Sequence, residues 1–194
     1  MIKVGVFLSR FQPFHNGHLH MIRLALKENE KVIIVIGSSN KKGTERNPFS
    51  WYWRKDWIQC VLTEEEKKRV EFVCLPDWSM ESDKSEITRW GYYFYYNIVS
   101  RIAQKSFTMY CGEEDRTIIK KWFDDEDLKA NITLRAVSRS TVFEGLSATK
   151  IRQAVLNGDM NYLKHHLPEC VYDDYEYMLE CITKSLSKED YYMK

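Results

Sequence analysis

Two histidines three residues apart, His15 and His18, stand in the segment Ser9-Arg10-Phe11-Gln12-Pro13-Phe14-His15-Asn16-Gly17-His18 near the start of the 194-residue chain. An apolar run, Val4 to Leu8, precedes this segment, and a helical pattern, His18 to Glu28, follows it. The histidines therefore sit between a strand and the amino end of a helix, where open parallel sheets receive ligands. Free N–H groups and the helix dipole favour anions there, so phosphate oxygens are the natural guests. A spacing of three puts both imidazoles on one side of the first turn, and Gly17 lets a ligand approach the backbone closely. Arg10 adds a planar guanidinium suited to phosphate oxygens. One helix end supplies only about 0.3–1 kcal/mol at a surface, so side chains must provide most of the grip. Such a set suits phosphoryl transfer by positioning and charge neutralisation, with no protein nucleophile.

A second segment, Leu146-Ser147-Ala148-Thr149-Lys150-Ile151-Arg152, has the same logic. Ser147 is a good N-cap, so the next residues open a helix whose first N–H groups face outward. Arg152 projects from that end and adds charge-assisted bonds to β- and γ-phosphates. Bland readings exist for both segments. A histidine pair in a loop is often solvated or capping, and the loop is expected to be exposed. His-x-x-His can also hold a metal, but His20, His165 and His166 lie in contexts that offer no third ligand. Ser-x-Thr before an apolar run is how many helices begin.

The elements that must position these residues are legible from periodicity. Short β-branched runs recur at Val4 to Leu8, Val32 to Ile36, Val70 to Leu75, Phe107 to Cys111 and Ile132 to Val137. Helical stretches separate them at His18 to Glu28, Ser50 to Leu62, Glu86 to Gln104 and Thr117 to Phe123. This alternation predicts an α/β fold, a Rossmann-like doubly wound parallel sheet of about five strands. Ser147 to Leu156 ends at the stop signal Asn157-Gly158, and Val171 to Ser185 follows Pro168. The expected division is a core over 1–158 and a C-terminal helical appendage over 159–194.

A net charge of +1 argues against bulk nucleic acid as the main partner. No run approaches the roughly 18 apolar residues of a membrane span, and the N-terminus enters a strand pattern at once, so a cytoplasmic protein is expected. The five cysteines are odd in number and lack C-x-x-C, which reads as free buried thiols. Oligomeric state stays open, a homo-oligomer included.

R-F-Q-P-F-H-x-G-H after an N-terminal strand resembles the signature of the H-x-G-H nucleotidylyltransferase superfamily. Leu146 to Arg152 is similar to its I-S-S-T-x-I-R segment, with Ala148 in place of the second serine. Gly37-Ser38-Ser39-Asn40 and Arg46-Asn47-Pro48-Phe49-Ser50, with Arg54 beyond, resemble segments of the archaeal-type nicotinamide mononucleotide (NMN) adenylyltransferases. Ser9 replaces the usual glycine before Arg10, and Trp51-Tyr52-Trp53 replaces the usual small-small-Glu. The resemblance implies catalysis by His15, His18 and Arg152, and nucleotide binding by Ser9, Arg10, Phe11, Gly17, Gly112, Ser147 and Thr149. It implies acceptor binding by Ser38, Arg46, Asn47 and Trp90, the tryptophan stacking on a pyridine ring. The substrates would be ATP and a phosphorylated small molecule, NMN or its nicotinate analogue NaMN, with Mg²⁺ held mainly through phosphates. Alternatives are a polyol-phosphate cytidylyltransferase, a phosphopantetheine adenylyltransferase, or a non-catalytic nucleotide-sensing module. A turnover assay that detects pyrophosphate separates the last from the rest. The aromatic run Trp90 to Tyr96 equally suits a packed helix, with Tyr92 and Tyr96 on one face.

Overall fold

Five β-branched, apolar runs become five parallel strands: β1 (Val4–Ser9), β2 (Lys31–Ile36), β3 (Val70–Cys74), β4 (Phe107–Gly112) and β5 (Ile132–Val137). The computed structural model describes residues 2–77, 84–138, 143 and 145–192. The sheet order is β3-β2-β1-β4-β5, with every pairing parallel. β1 thus lies between β2 and β4, and the winding reverses there, opening a crevice at the carboxyl ends of the strands. Ten α-helices are described: α1 (Asn16–Glu28), α2 (Trp51–Cys60), α3 (Glu64–Arg69), α4 (Lys84–Ile102), α5 (Arg116–Trp122), α6 (Glu126–Lys129), α7 (Ala148–Asn157), α8 (Met160–His166), α9 (Glu169–Tyr172) and α10 (Tyr175–Tyr192).

The strand boundaries agree with the sequence reading to within a residue. α3 was invisible to periodicity because Glu64 to Arg69 contains no apolar residue. Local bonds build it instead: Thr63 and Glu66 form a capping box, and Lys67 and Lys68 pair with Glu64 and Glu65.

Central β2 is apolar almost throughout because both faces are covered. Val32, Ile34 and Ile36 join one core with Trp57, Ile151 and Leu163, while Ile33 and Val35 join the other with Phe94, Met109 and Ile119. α4 and α5 approach so closely that a Cβ at Gly91 would lie 1.7 Å from the Trp122 carbonyl oxygen. Tyr92 and Tyr96 share a face as expected, their rings stacked at 6.1 Å.

The C-terminal helices fold back onto α2. Leu163, Leu167, Val171, Met178 and Ile182 belong to the same core as the sheet, Trp57 Nε1 donates to Asp174 at 2.7 Å, and Trp53 stacks on Tyr177 at 4.1 Å. Here the cysteine expectation is corrected. Cys60, at the end of α2, forms a disulfide with Cys170 of α9 across 110 residues, leaving Cys74, Cys111 and Cys181 free. Nothing in local spacing signals a pairing that exists only because α9 docks on α2. Among the described residues no helix is long and apolar enough to cross a membrane.

Closing a loop of this length removes enough unfolded-state entropy to stabilise the fold by about 5 kcal/mol. Dithiothreitol, or Cys170→Ser, should therefore lower the melting temperature by roughly 10 °C in differential scanning fluorimetry. Identical melting with and without reductant would show that the cross-link contributes nothing.

Candidate active site

β1 delivers the chain to Ser9 at the carboxyl edge of the sheet, and α1 begins after His15, its N-cap residue. No acidic side chain occupies the first turn of α1, so the positive end of the helix is not neutralised locally. The loop between is buried, which corrects the expectation of an exposed segment. Phe11 is 1% and Phe14 0% exposed, with His15 at 5% and His18 at 9%. The reason is the aromatic content of the loop itself. Phe11 packs edge-on to Phe7, and His18 lies against Phe11 at 4.9 Å, Phe14 at 5.9 Å and His15 at 3.7 Å. Phe11 adopts φ 51°, a strained conformation for a bulky residue that burial of its ring enforces. With its ring enclosed, Phe11 has its backbone to offer a ligand.

Ser9 Oγ lies 3.1 Å from His18 Nε2, a contact that the family's usual glycine at this position lacks. Gly17 lines the pocket beside the histidines and also bears on how His15 packs. A Cβ there would come within 3.1 Å of two atoms of the His15 ring, so the glycine makes room for the imidazole.

α7 supplies the second edge. Ser147 caps it by accepting from the Lys150 N–H at 3.2 Å, as expected, and Gly158 closes it in the left-handed conformation. Arg152 reaches across to the first loop, donating through Nη1 to the Gln12 carbonyl at 2.7 Å and through Nη2 to Thr149 Oγ1 at 3.3 Å. Gln12, quoted in the motif but given no role by the sequence, is itself clamped. Its Nε2 donates to the Phe49 carbonyl at 2.9 Å, and its Oε1 accepts from the Phe49 N–H at 3.0 Å.

Cations gather on this edge. Burial holds the Arg152 guanidinium below its ordinary pKa, and Arg10 lowers it further; Glu45 opposes this and Arg46 adds to it. Arg10 and Arg46 thus each disfavour the charge on Arg152, an effect that a bound polyanion would offset. Arg54 is wholly buried, and its guanidinium is pushed down to about 10 by burial, partly offset by Cys74 and Asp77 and deepened by Arg10.

Beside the histidines runs a pocket walled by Phe7, Leu8, Met21, Ile119, Val137, Phe143 and Leu146, with Ser9, His20, Gly112, Asp115 and Ser138 as polar points. Apolar walls with a few polar points suit a flat base and its ribose. His20 and Phe143 meet edge to face at 5.8 Å. Cys111 also lines the pocket, but burial pushes its thiol up to about 11, which keeps it inert at neutral pH.

The residues assigned to the acceptor are spread more widely. Ser38, buried and at φ 49°, donates its hydroxyl to Asp77 at 2.7 Å, and Lys41 pairs with the same carboxylate at 3.2 Å. Asp77 lies three residues past the end of β3, and no motif in the sequence pointed to it. Asn47 is buried, and its Oδ1 has no hydrogen-bond partner among the described residues. Trp90 is half-buried on α4 against Tyr93, Phe94 and Trp122. Burial raises the phenol pKa of Tyr93, its neighbour, and the charge of Asp77 adds to the rise.

A family model described as cytidylyltransferase-like matches residues 6–154, the stretch that contains both edges of this site. The chain belongs to that family. It is a nucleotidyltransferase, and its similarity to curated proteins runs over most of its length. It is 30% identical over 154 residues to the nicotinamide-nucleotide adenylyltransferase of Thermococcus sibiricus, covering 78% of this chain and 73% of that one. To the Thermococcus kodakarensis protein of the same name it is 28% identical over 161 residues, covering 82% and 76%. Among solved structures, it superposes with a TM-score of 0.71 on a bifunctional NMN adenylyltransferase/ADP ribose pyrophosphatase of Francisella tularensis, complexed with AMP and a manganese ion. That match, at 23% identity, covers 98% of this chain and 54% of the other, so it speaks to the fold of one half of the bifunctional protein.

His18→Ala should lower turnover by roughly 10²–10³, the cost of removing a donor aimed at developing charge. Because the ring is enclosed, the variant should also lose about 1–3 kcal/mol of stability. Turnover measured per folded molecule separates the two effects, and near-wild-type turnover would remove His18 from the reaction.

Proposed function

We propose that the chain transfers the AMP part of ATP to NMN or NaMN, releasing pyrophosphate and forming NAD or its deamido form. The observation that carries this reading is the Arg152 bond to the Gln12 carbonyl. It brings α7 and the histidine loop together as one cationic cradle beside the base pocket. The two Thermococcus relatives, both named nicotinamide-nucleotide adenylyltransferases, support the acceptor assignment.

An oxygen of the acceptor phosphate attacks the α-phosphorus of ATP in line. The P–O bond to pyrophosphate breaks, and its electron pair leaves with the β-phosphate. His15 and His18 hold phosphate oxygens near the α–β bridge as charge grows there, with Ser9 steadying the His18 ring. Arg10 and Arg152 hold the β- and γ-phosphates, with Ser147, Thr149 and the first turn of α7 beneath them, while Gly112 borders the ribose. Alignment of two bound substrates supplies much of the acceleration.

Among the described residues no three His, Cys, Asp or Glu side chains converge as a metal site. The donors at the cradle are cationic or neutral, so they fit an ion carried on the triphosphate and not one caged by protein. Mg²⁺ would neutralise phosphate charge there, bound through phosphate oxygens and water.

On the acceptor side, Asn47 Oδ1 offers an unused buried acceptor, the kind of atom a ligand donor satisfies. Arg46 would meet the acceptor phosphate, Ser38 its ribose side, and Trp90 its pyridine ring. Residues 1–158 would carry the catalysis and 159–194 brace it, in a cytoplasmic setting.

Pyrophosphate release, measured with ATP or CTP against NMN, NaMN, phosphopantetheine and a polyol phosphate, tests the reading directly. Turnover only with CTP, or with neither pyridine nucleotide, would overturn it. Arg152→Ala should raise the KM for ATP and also lower kcat, because pyrophosphate is held both when bound and as it departs. A change confined to the acceptor KM would move Arg152 to the other pocket. Trp90→Ala should weaken NMN binding by about 0.5–3 kcal/mol if the indole stacks on the ring, with ATP affinity unchanged. A loss of roughly 3–5 kcal/mol of stability with unchanged NMN binding would make Trp90 a packing residue alone.

A further inference from the structure

Arg54 is wholly buried in α2, and its guanidinium donates to four backbone carbonyls. Nη1 donates to Arg10 at 2.8 Å and to Gly37 at 2.8 Å, Nη2 to Ser38 at 3.2 Å, and Nε to Ser50 at 3.2 Å. These carbonyls belong to two different loops. Arg10 lies on the loop between β1 and α1, which carries the histidines; Gly37, Ser38 and Ser50 lie on the segment between β2 and α2. The loops also meet directly, since the Gly37 N–H donates to the Ser9 carbonyl at 3.0 Å. Ser38 keeps φ 49° beneath the guanidinium, a conformation that an ordinary residue abandons unless it is held.

We infer that Arg54 is a positioning residue for the transfer step: its guanidinium fork fixes the distance between the loop that holds the triphosphate and the loop that holds the acceptor. This rests on the function proposed above. Each loop can grip its own ligand without Arg54. In-line attack, however, needs both ligands registered to within about an ångström, and a misplacement of that size costs on the order of 100-fold in rate. A lysine cannot substitute, because its donors radiate from one atom and do not span carbonyls on both sides of a planar fork.

The test compares Arg54→Lys and Arg54→Met with wild type. Dissociation constants for ATP alone and NMN alone come from calorimetry, and the transfer rate comes from single turnover with both ligands saturating. The expected result is about a 100-fold fall in transfer rate in both variants, with each separate affinity within about threefold of wild type. Arg54→Lys transferring at the wild-type rate would overturn the inference, as would an ATP affinity that falls in step with the rate. Should both variants fail to fold, the Nε–Hε resonance of Arg54 in wild-type protein decides. It should shift when a non-hydrolysable ATP analogue is added alone and again when NMN is added alone, and silence toward either ligand overturns the inference. Absence of wild-type turnover with ATP and NMN would instead count against the proposed function. The same comparison, run with whichever nucleotide and acceptor the wild type does join, then decides the role of Arg54.

Discussion

The active edge of this protein depends on guanidinium groups bonded to backbone carbonyls in place of carboxylates. Loops at the carboxyl ends of parallel strands leave carbonyl oxygens without partners in the sheet, and each buried one must find a donor. Arg54 serves carbonyls of two loops, and Arg152 serves the carbonyl of Gln12. A carboxylate partner would satisfy the arginine but cancel its charge. A carbonyl satisfies the same N–H groups and leaves the charge in place. One interaction therefore closes the loops and leaves the edge positive for phosphate.

That arrangement is costly, and the cost is visible. Burial depresses the Arg54 guanidinium to about 10 and holds Arg152 below its ordinary value, while Arg10 works against both. Phe11 and Ser38 hold positive φ values in the same two loops. Strain of this kind persists only where surrounding structure over-determines it, as the buried aromatic ring at Phe11 and the Arg54 fork above Ser38 do. A bound polyanion would favour the charged form of both guanidinium groups and so offset part of that cost.

The strands, the strand-loop-helix placement of His15 and His18, and the N-cap at Ser147 were all readable, because each is encoded in residues a few positions apart. What escaped the sequence reading is encoded across distance. The clasp of Gln12 on Phe49 joins residues 37 apart, and the Cys60–Cys170 bond joins residues 110 apart. Neither leaves a periodic or compositional trace. The loop was expected to be exposed because its histidines were weighed as polar, while Phe11 and Phe14 decide its burial. Trp90 shows the converse limit. An aromatic on a helix of aromatics fits a ligand wall and a packing ridge equally well, and its neighbours Tyr93, Phe94 and Trp122 are themselves aromatic.

The C-terminal helices bear on the same edge through α2. Asp174 accepts from Trp57, Tyr177 stacks on Trp53, and Cys170 is bonded to Cys60, so α2 is braced along its length. Arg54 lies on that helix next to Trp53 and about one turn before Trp57. Farther along, the His165 carbonyl accepts from Asn16 in the first turn of α1, one residue beyond His15. A segment with no motif of its own thus touches α2, which carries Arg54, and α1, which begins after His15. Trp53 stands where the archaeal-type enzymes usually have a glutamate, and here its ring is the surface on which Tyr177 stacks. This departure from the family pattern is therefore coupled to the way the appendage docks, and replacing Trp53 with glutamate alone would remove a brace without restoring the environment that a glutamate needs.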